Sequence, residues 1–289
     1  MFKKHVYTYA LTYRALALER QGLLIEWDDG SWSEASPLPG FSKETYEEVK
    51  RSAKETTYLP SLAFAHDVHK TTSGSLPLAG LLLGTRKEIL KHIESLKNLG
   101  ITCAKLKIQH LSTQDTISLI KEISPHLTLR IDANKSLTLE QALYIAKKTE
   151  GCDIAFFEEP LQNPDELISF PYPIALDESL SSHYFLKNLA AIVVKPTLFG
   201  NFEACTRWAF LNKPTIFSSS FESGIGLMQI MEYAKKFFAQ HPTLQVPLGL
   251  GTYLFLEEDL LESPLIIKQG TIEAPRGGLS LVKRFLAAV

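Results

Sequence analysis

Three cysteines in 289 residues, Cys103, Cys152 and Cys205, are too few, too scattered and odd in number for a disulfide framework. They read as reduced thiols, as in a cytoplasm. An excess of positive charge is also missing. Lys and Arg number 30 against 32 Asp and Glu, a formal net charge of -2. That balance offers no basic surface for nucleic acid or for an anionic membrane. No apolar run reaches the length of a membrane span, and the opening MFKKHVYTYALTYRALALER, interrupted by Tyr, Thr and Arg14, is a poor signal peptide. A soluble, compact, cytoplasmic chain is expected. No feature of the sequence specifies an oligomeric state.

Several chemical signatures are lacking as well. The first barrel-type strand is not followed by the glycine-rich phosphate loop of an open doubly wound sheet. The serine-rich string SSSFESG (218–224) lacks the G-x-S-x-G pattern of a nucleophile elbow. Of the eight histidines only His110 falls near the end of a strand-like run, which argues against a His-ligated zinc hydrolase.

What is present is a repeat of short β-rich runs and longer amphipathic stretches. The runs are LAGLLLG (78–84), CAKLKI (103–108), LTLRIDA (127–133), IAFFEEP (154–160), IALDES (174–179), AIVVKPT (191–197), TIFSSSF (215–221) and VPLGLG (246–251). Between them lie segments such as 85–100 and 136–151, with apolar residues at helical spacing, a closing glycine, and Ser136 or Thr138 as an N-cap in the second. Eight such units predict an α/β fold, a (β/α)8 TIM-type barrel. Residues 1–76 differ: a hairpin turning at Asp28-Asp29-Gly30, then a helix over 42–54 capped by Ser42, predict an α+β capping domain. Residues 77–262 would form the barrel, and the tail, 263–289, would return to the capping domain and complete it.

Charged residues recur at the strand ends. Lys107, Asp132, Glu158, Asp177 and Lys195 end five consecutive runs, and Lys105 shares a strand face with Lys107. Each alone has a plainer reading, as a helix cap, a solvated turn or an exposed edge. Together they fall at the carboxyl ends of parallel strands, where barrels carry their active sites. Three adjacent carboxylates suit a hard divalent cation such as Mg²⁺, and without one they would repel. Cationic neighbours can also lower a lysine's pKa toward base strength. The chemistry suggested is proton abstraction beside a metal-bound carboxylate of a small-molecule substrate. Ser218, Ser219, Ser220 and the N–H groups near Gly224, at the start of a helix, could receive a substrate carboxylate, or could simply cap that helix.

The constellation Lys105-x-Lys107, Asp132-x-Asn134, Glu158-Glu159-Pro160, Asp177-Glu178 and Lys195-Pro196-Thr197 resembles the enolase superfamily, in its muconate-lactonizing subgroup. Longer strings, SPLPGFSKET (36–45), FFEEPL (156–161), VVKPTLFGN (193–201) and SSSFESGIGL (218–227), are similar to the o-succinylbenzoate synthases. The resemblance implies Asp132, Glu158 and Asp177 as magnesium ligands, with Asn134 and Glu178 beside them. It implies Lys107 as the base and then the acid, Lys195 as the cation opposite, and Lys105 as the neighbour of Lys107. It also implies that residues 36–42 close over the substrate. The activity implied is a syn dehydration in menaquinone biosynthesis. Racemases, dipeptide epimerases and cycloisomerases of the same subgroup share the lysines; the eighth run lacks the Asp-x-Asp of the epimerases. A non-catalytic barrel that binds a ligand is the alternative of another class.

Overall fold

The computed structural model describes residues 3–14, 18–53, 58–275, 279–282 and 286–288. The chain opens with β1 (Lys3–Tyr13), antiparallel to β2 (Leu18–Trp27), which pairs in turn with β3 (Trp32–Ala35). The β2–β3 hairpin turns where predicted. Gly30 takes φ +79° there, a left-handed conformation that costs glycine little. The sequence reading had not identified β1 as a strand. Its inward residues Tyr9, Leu11 and Tyr13 alternate with exposed ones, the period of a half-buried strand.

Helix α1 (Tyr46–Ser52) starts later than predicted. Its cap is Thr45, not Ser42, because Thr45 and Glu48 form a reciprocal capping box. Ser42 instead accepts the Leu38 N–H, 2.7 Å, and closes a turn within residues 38–42. Helix α2 (Pro60–Asp67) follows and packs on β3.

After the short strand β4 (Ser75–Pro77) the barrel begins. Its elements are β5 (Gly80–Leu82), α3 (Arg86–Asn98), β6 (Cys103–Lys107), α4 (Thr113–Ile123), β7 (Thr128–Asp132), α5 (Leu139–Lys148), β8 (Ile154–Glu158), β9 (Ile174–Leu176), α6 (Leu180–His183), β10 (Leu189–Val194), α7 (Pro196–Phe199), α8 (Phe202–Thr206), β11 (Thr215–Phe217) and α9 (Gly224–Gln240). Thr138, not Ser136, caps α5. The β8–β9 connection carries a 3₁₀ turn, Pro164–Ser169, rather than an α-helix.

Strands β5 to β11 form one parallel sheet in sequence order. The eighth run contributes only two bridging positions, Leu248 to Leu78 and Gly249 to Ser218, and these close the barrel. The run ends where a 3₁₀ turn, Gly251–Phe255, begins. A Cβ on Gly251 would lie 2.8 Å from Ala79 O and Leu81 N, so the backbones meet directly. Inside the barrel Phe156, Ala175, Ala191, Val193 and Ile216 form an apolar layer. It floors the charged layer above.

The tail divides its contacts. Strand β12 (Ile266–Lys268) pairs with β13 (Thr271–Glu273), which pairs with β4 at the amino end of the barrel, while β14 (Ala287–Ala288) pairs with β1 of the capping sheet. Among the described residues, no helix is long and apolar enough to cross a membrane.

Candidate active site

Strand alternation puts Lys105 and Lys107 on the inner face of β6, Asp132 on β7 and Glu158 on β8. The register then sets Lys107 opposite Asp132, and Asp132 opposite Glu158. Asp177 follows the last residue of β9 and Lys195 follows that of β10. Strands β7, β8 and β9 separate β6 from β10, half the circuit of an eight-unit barrel. Lys107 and Lys195 therefore face each other across its mouth.

The contacts are direct. Lys105 Nζ lies 2.8 Å from Glu158 Oε1 and 3.2 Å from Asp132 Oδ2. Lys107 Nζ donates to Asn134 Oδ1 at 2.7 Å and sits 3.2 Å from Asp132 Oδ2. Lys195 pairs with Asp177. Burial works against the charge of Lys105, but Glu158, Asp132 and Asp177 outweigh it and raise its pKa. Lys195 is likewise raised, burial being outweighed chiefly by Asp177. These two lysines are thus pushed away from base strength, opposite to the expectation from like-charge crowding, because carboxylates dominate their surroundings. Burial raises Glu158. Asp132 is also pushed up by burial, yet Lys105, Lys107 and Lys195 together hold it below the ordinary carboxylate range.

The three carboxylates do not form a finished cage. Among the described residues no three acidic, His or Cys side chains are gathered around one point, since Lys105 and Lys195 occupy them. One oxygen is left over: Glu158 Oε2 is buried with no hydrogen-bond partner. A buried, unpartnered carboxylate oxygen beside two further carboxylates is a donor set that fits a hard divalent cation.

The lysines open onto a cleft lined by Leu38 and Phe41 of the cap and by Asn134, Ser218, Ser219, Phe221 and Thr252 of the barrel. The Phe41 ring lies 5.6 Å from Lys195 Nζ. Ser218 and Ser219 border the cleft; Ser219 Oγ is 2.6 Å from Thr252 Oγ1. Ser220 does not line it. Its N–H donates to Glu222. The Gly224 N–H, at the start of α9, donates to Asp259 Oδ1 at 2.9 Å. At the same helix start Glu34 of the cap receives the Ser223 and Gly226 N–H groups, and the Ser223 hydroxyl receives that of Ile225. Glu178 keeps solvent access beside the site; burial of its carboxyl raises it, and the nearby Lys195 ammonium partly offsets that rise.

Three contributors escaped the sequence reading. Glu159 (φ +39°) accepts the N–H groups of Asp177 and Ser179 and the Ser179 hydroxyl, and so shapes the loop that carries Asp177. The doubled Glu158-Glu159 string held that signal. Arg130 is buried in the barrel, its guanidinium 5.7 Å from the Phe156 ring. It lies two residues before Asp132 on the same face, as Lys105 does before Lys107. Thr252 lies beyond the last bridging strand and left no local pattern.

A capped parallel barrel with lysines and carboxylates at the carboxyl ends of its strands defines a class of acid–base enzyme, and comparisons with known proteins narrow it. Residues 88–198 match the family model described as enolase C-terminal domain-like. The o-succinylbenzoate synthase of Haemophilus influenzae is 30% identical over 287 residues, covering 84% of this chain and 85% of that protein. That of Vibrio cholerae serotype O1 is 34% identical over 292 residues, covering 85% of each. The muconate lactonizing enzyme from Pseudomonas putida superposes with a TM-score of 0.75 at 15% identity, over 99% of this chain and 100% of that one; this likeness speaks to fold. The chain belongs to the family of the o-succinylbenzoate synthases and carries an enolase C-terminal domain-like region.

Proposed function

We propose that this protein is an o-succinylbenzoate synthase of menaquinone biosynthesis. It would remove water from 2-succinyl-6-hydroxy-2,4-cyclohexadiene-1-carboxylate to give 2-succinylbenzoate, with Mg²⁺ as cofactor. The observation that carries this reading is the pair Lys107 and Lys195 on opposite walls of one cleft, with three carboxylates between them. The relatives named above supply the choice of substrate.

Lys107 takes the proton on the carbon next to the substrate carboxylate. Asn134 and Asp132 hold its Nζ in place for that transfer. The ammonium so formed returns a proton to the departing β-hydroxyl. Because one residue serves both steps, proton and hydroxyl leave from the same face. A C–H and a C–O bond break, water forms, and the ring becomes aromatic. Lys195 keeps its charge and steadies the electron-rich ring from the other side. Leu38 and Phe41 cover the cleft from the cap and exclude water. When bound by Asp132, Glu158 and Asp177, the magnesium ion supplies positive charge against the substrate carboxylate as electrons shift onto it.

The test is direct. Purified protein with Mg²⁺ should convert the cyclohexadiene carboxylate to the aromatic acid, followed by absorbance; turnover no faster than the uncatalysed reaction would remove this reading. The second reading is a racemase of the same subgroup, favoured by Lys195 facing the cleft from the far wall. Racemisation of N-acylamino acids without any dehydration would select it.

A further inference from the structure

The two loops that wall the cleft come from different parts of the chain, and one buried side chain holds both. Arg20, on β2 of the cap, is 1% exposed. Its Nη1 donates to Pro37 O at 2.6 Å and its Nη2 to Ser36 O at 2.7 Å. Its Nε donates to Phe221 O at 3.2 Å. The first two carbonyls are the foot of the cap loop, residues 36–42; the third belongs to the barrel loop, residues 218–223. Leu38 and Phe41 of the first loop, and Ser218, Ser219 and Phe221 of the second, border the cleft.

The cap loop is braced within itself. Phe41 and Ser42 N–H groups both donate to Leu38 O, and Leu38 N–H donates to Ser42 Oγ. The turn is thus one braced unit, and Arg20 grips it where it joins the sheet. The barrel loop is held in a less ordinary way. Phe221 takes φ +61°, a left-handed conformation costly for a bulky residue, so its carbonyl needs partners to keep it there. Tyr13 OH on the next carbonyl, Glu222 O, and Arg20 on Phe221 O supply them.

A guanidinium carries donors in a fixed planar fork, so it fixes the relative placement of its acceptors and does more than attract them. Around it lie the carboxylates of Glu34, which receives Tyr9 and Ser36 hydroxyls, and of Glu222, which receives the Thr197 hydroxyl. These supply counter-charge, whereas the fork supplies geometry.

We infer that Arg20 is a positioning residue for the reaction, coupling the cap loop to the barrel loop so that both walls of the substrate cleft are set as one unit. The inference rests on the function proposed above only for its kinetic arm. Arg20→Lys retains the buried positive charge beside Glu34 and Glu222 but cannot bridge three carbonyls. Hydrogen–deuterium exchange in the absence of substrate, read on peptides covering 36–42 and 218–223, should be about tenfold faster in this variant for both loops, with β6 to β8 unchanged. KM for the cyclohexadiene carboxylate should rise about tenfold while kcat stays within about threefold, a loss of placement rather than of chemistry.

Wild-type protein without dehydratase activity would dispose of the substrate assignment, while joint loosening of the two loops would still support the coupling. Exchange at the wild-type rate in Arg20→Lys, loosening of one loop alone, or an unchanged KM with both loops loosened would overturn the inference. Failure of Arg20→Lys to fold would overturn it too, by assigning the residue to stability alone.

Discussion

Glu158 binds Lys105 through one carboxylate oxygen at 2.8 Å and leaves the other buried without a partner. A buried acceptor left unmade costs about 1–3 kcal/mol, more when charged, so the fold maintains that oxygen at some expense to its stability. Asp132 shares Lys105 with Glu158, and Lys107 leans on Asp132 from the next position along β6. The lysines and carboxylates thus form one charge-balanced layer over an apolar floor.

A cation bound there should stabilise the fold. In thermal unfolding, Mg²⁺ added to metal-free protein should raise Tm in a concentration-dependent way, by mass action on the native state. Glu158→Gln should abolish most of that response and need at least tenfold more Mg²⁺ for any turnover. A wild-type Tm indifferent to Mg²⁺ would remove these three carboxylates as a magnesium site.

The division of labour between the lysines can be read from isotope exchange. Lys107→Ala should reduce both dehydration and exchange of the substrate α-proton into deuterated solvent by about 10²–10⁴-fold or more. Its side chain is 25% exposed, and Asp132 keeps Lys105 and the Asn134 N–H as partners, so the variant should fold normally. Undiminished exchange in Lys107→Ala would transfer the role of base to another group.

Glu222 links stability to pH. Burial pushes its carboxyl up to about 7, against the hydrogen bond from Thr197. In the unfolded chain it titrates near the ordinary glutamate value of about 4.3. Because the folded pKa is the higher, its contribution is fully present below the unfolded value and is lost as pH rises toward and through 7. The loss amounts to about 4 kcal/mol at most. Relative to Glu222→Gln, wild-type protein should therefore lose stability between pH 5 and 8. Parallel denaturation curves for the two proteins across that range would show that Glu222 does not titrate there.

Much of this was legible along the chain. Periodic apolar runs marked the barrel strands, and i, i+2 spacing placed Lys105 and Lys107 on one face, as it could have placed Arg130 and Asp132. Helix starts were less legible, since Ser42 and Thr45 are both competent caps and only Glu48, three residues after Thr45, selects between them. The destination of the α9 start was not legible at all. Gly224 followed serines as an anion site would, and Glu34, 190 residues earlier, receives the Ser223 hydroxyl and the Gly226 N–H at that end.

By itself the sequence determined the kind of layer that could form: a parallel barrel whose strand ends bear carboxylates and lysines, because strand period and strand-helix alternation are local properties. Tertiary structure alone decided which ammonium meets which carboxylate, which oxygen is left over, and how Arg20 joins the cap to the barrel. Those outcomes depend on register and on closure between residues far apart in the chain. Hydrogen bonds act over about 3 Å, a distance that no spacing along the sequence encodes.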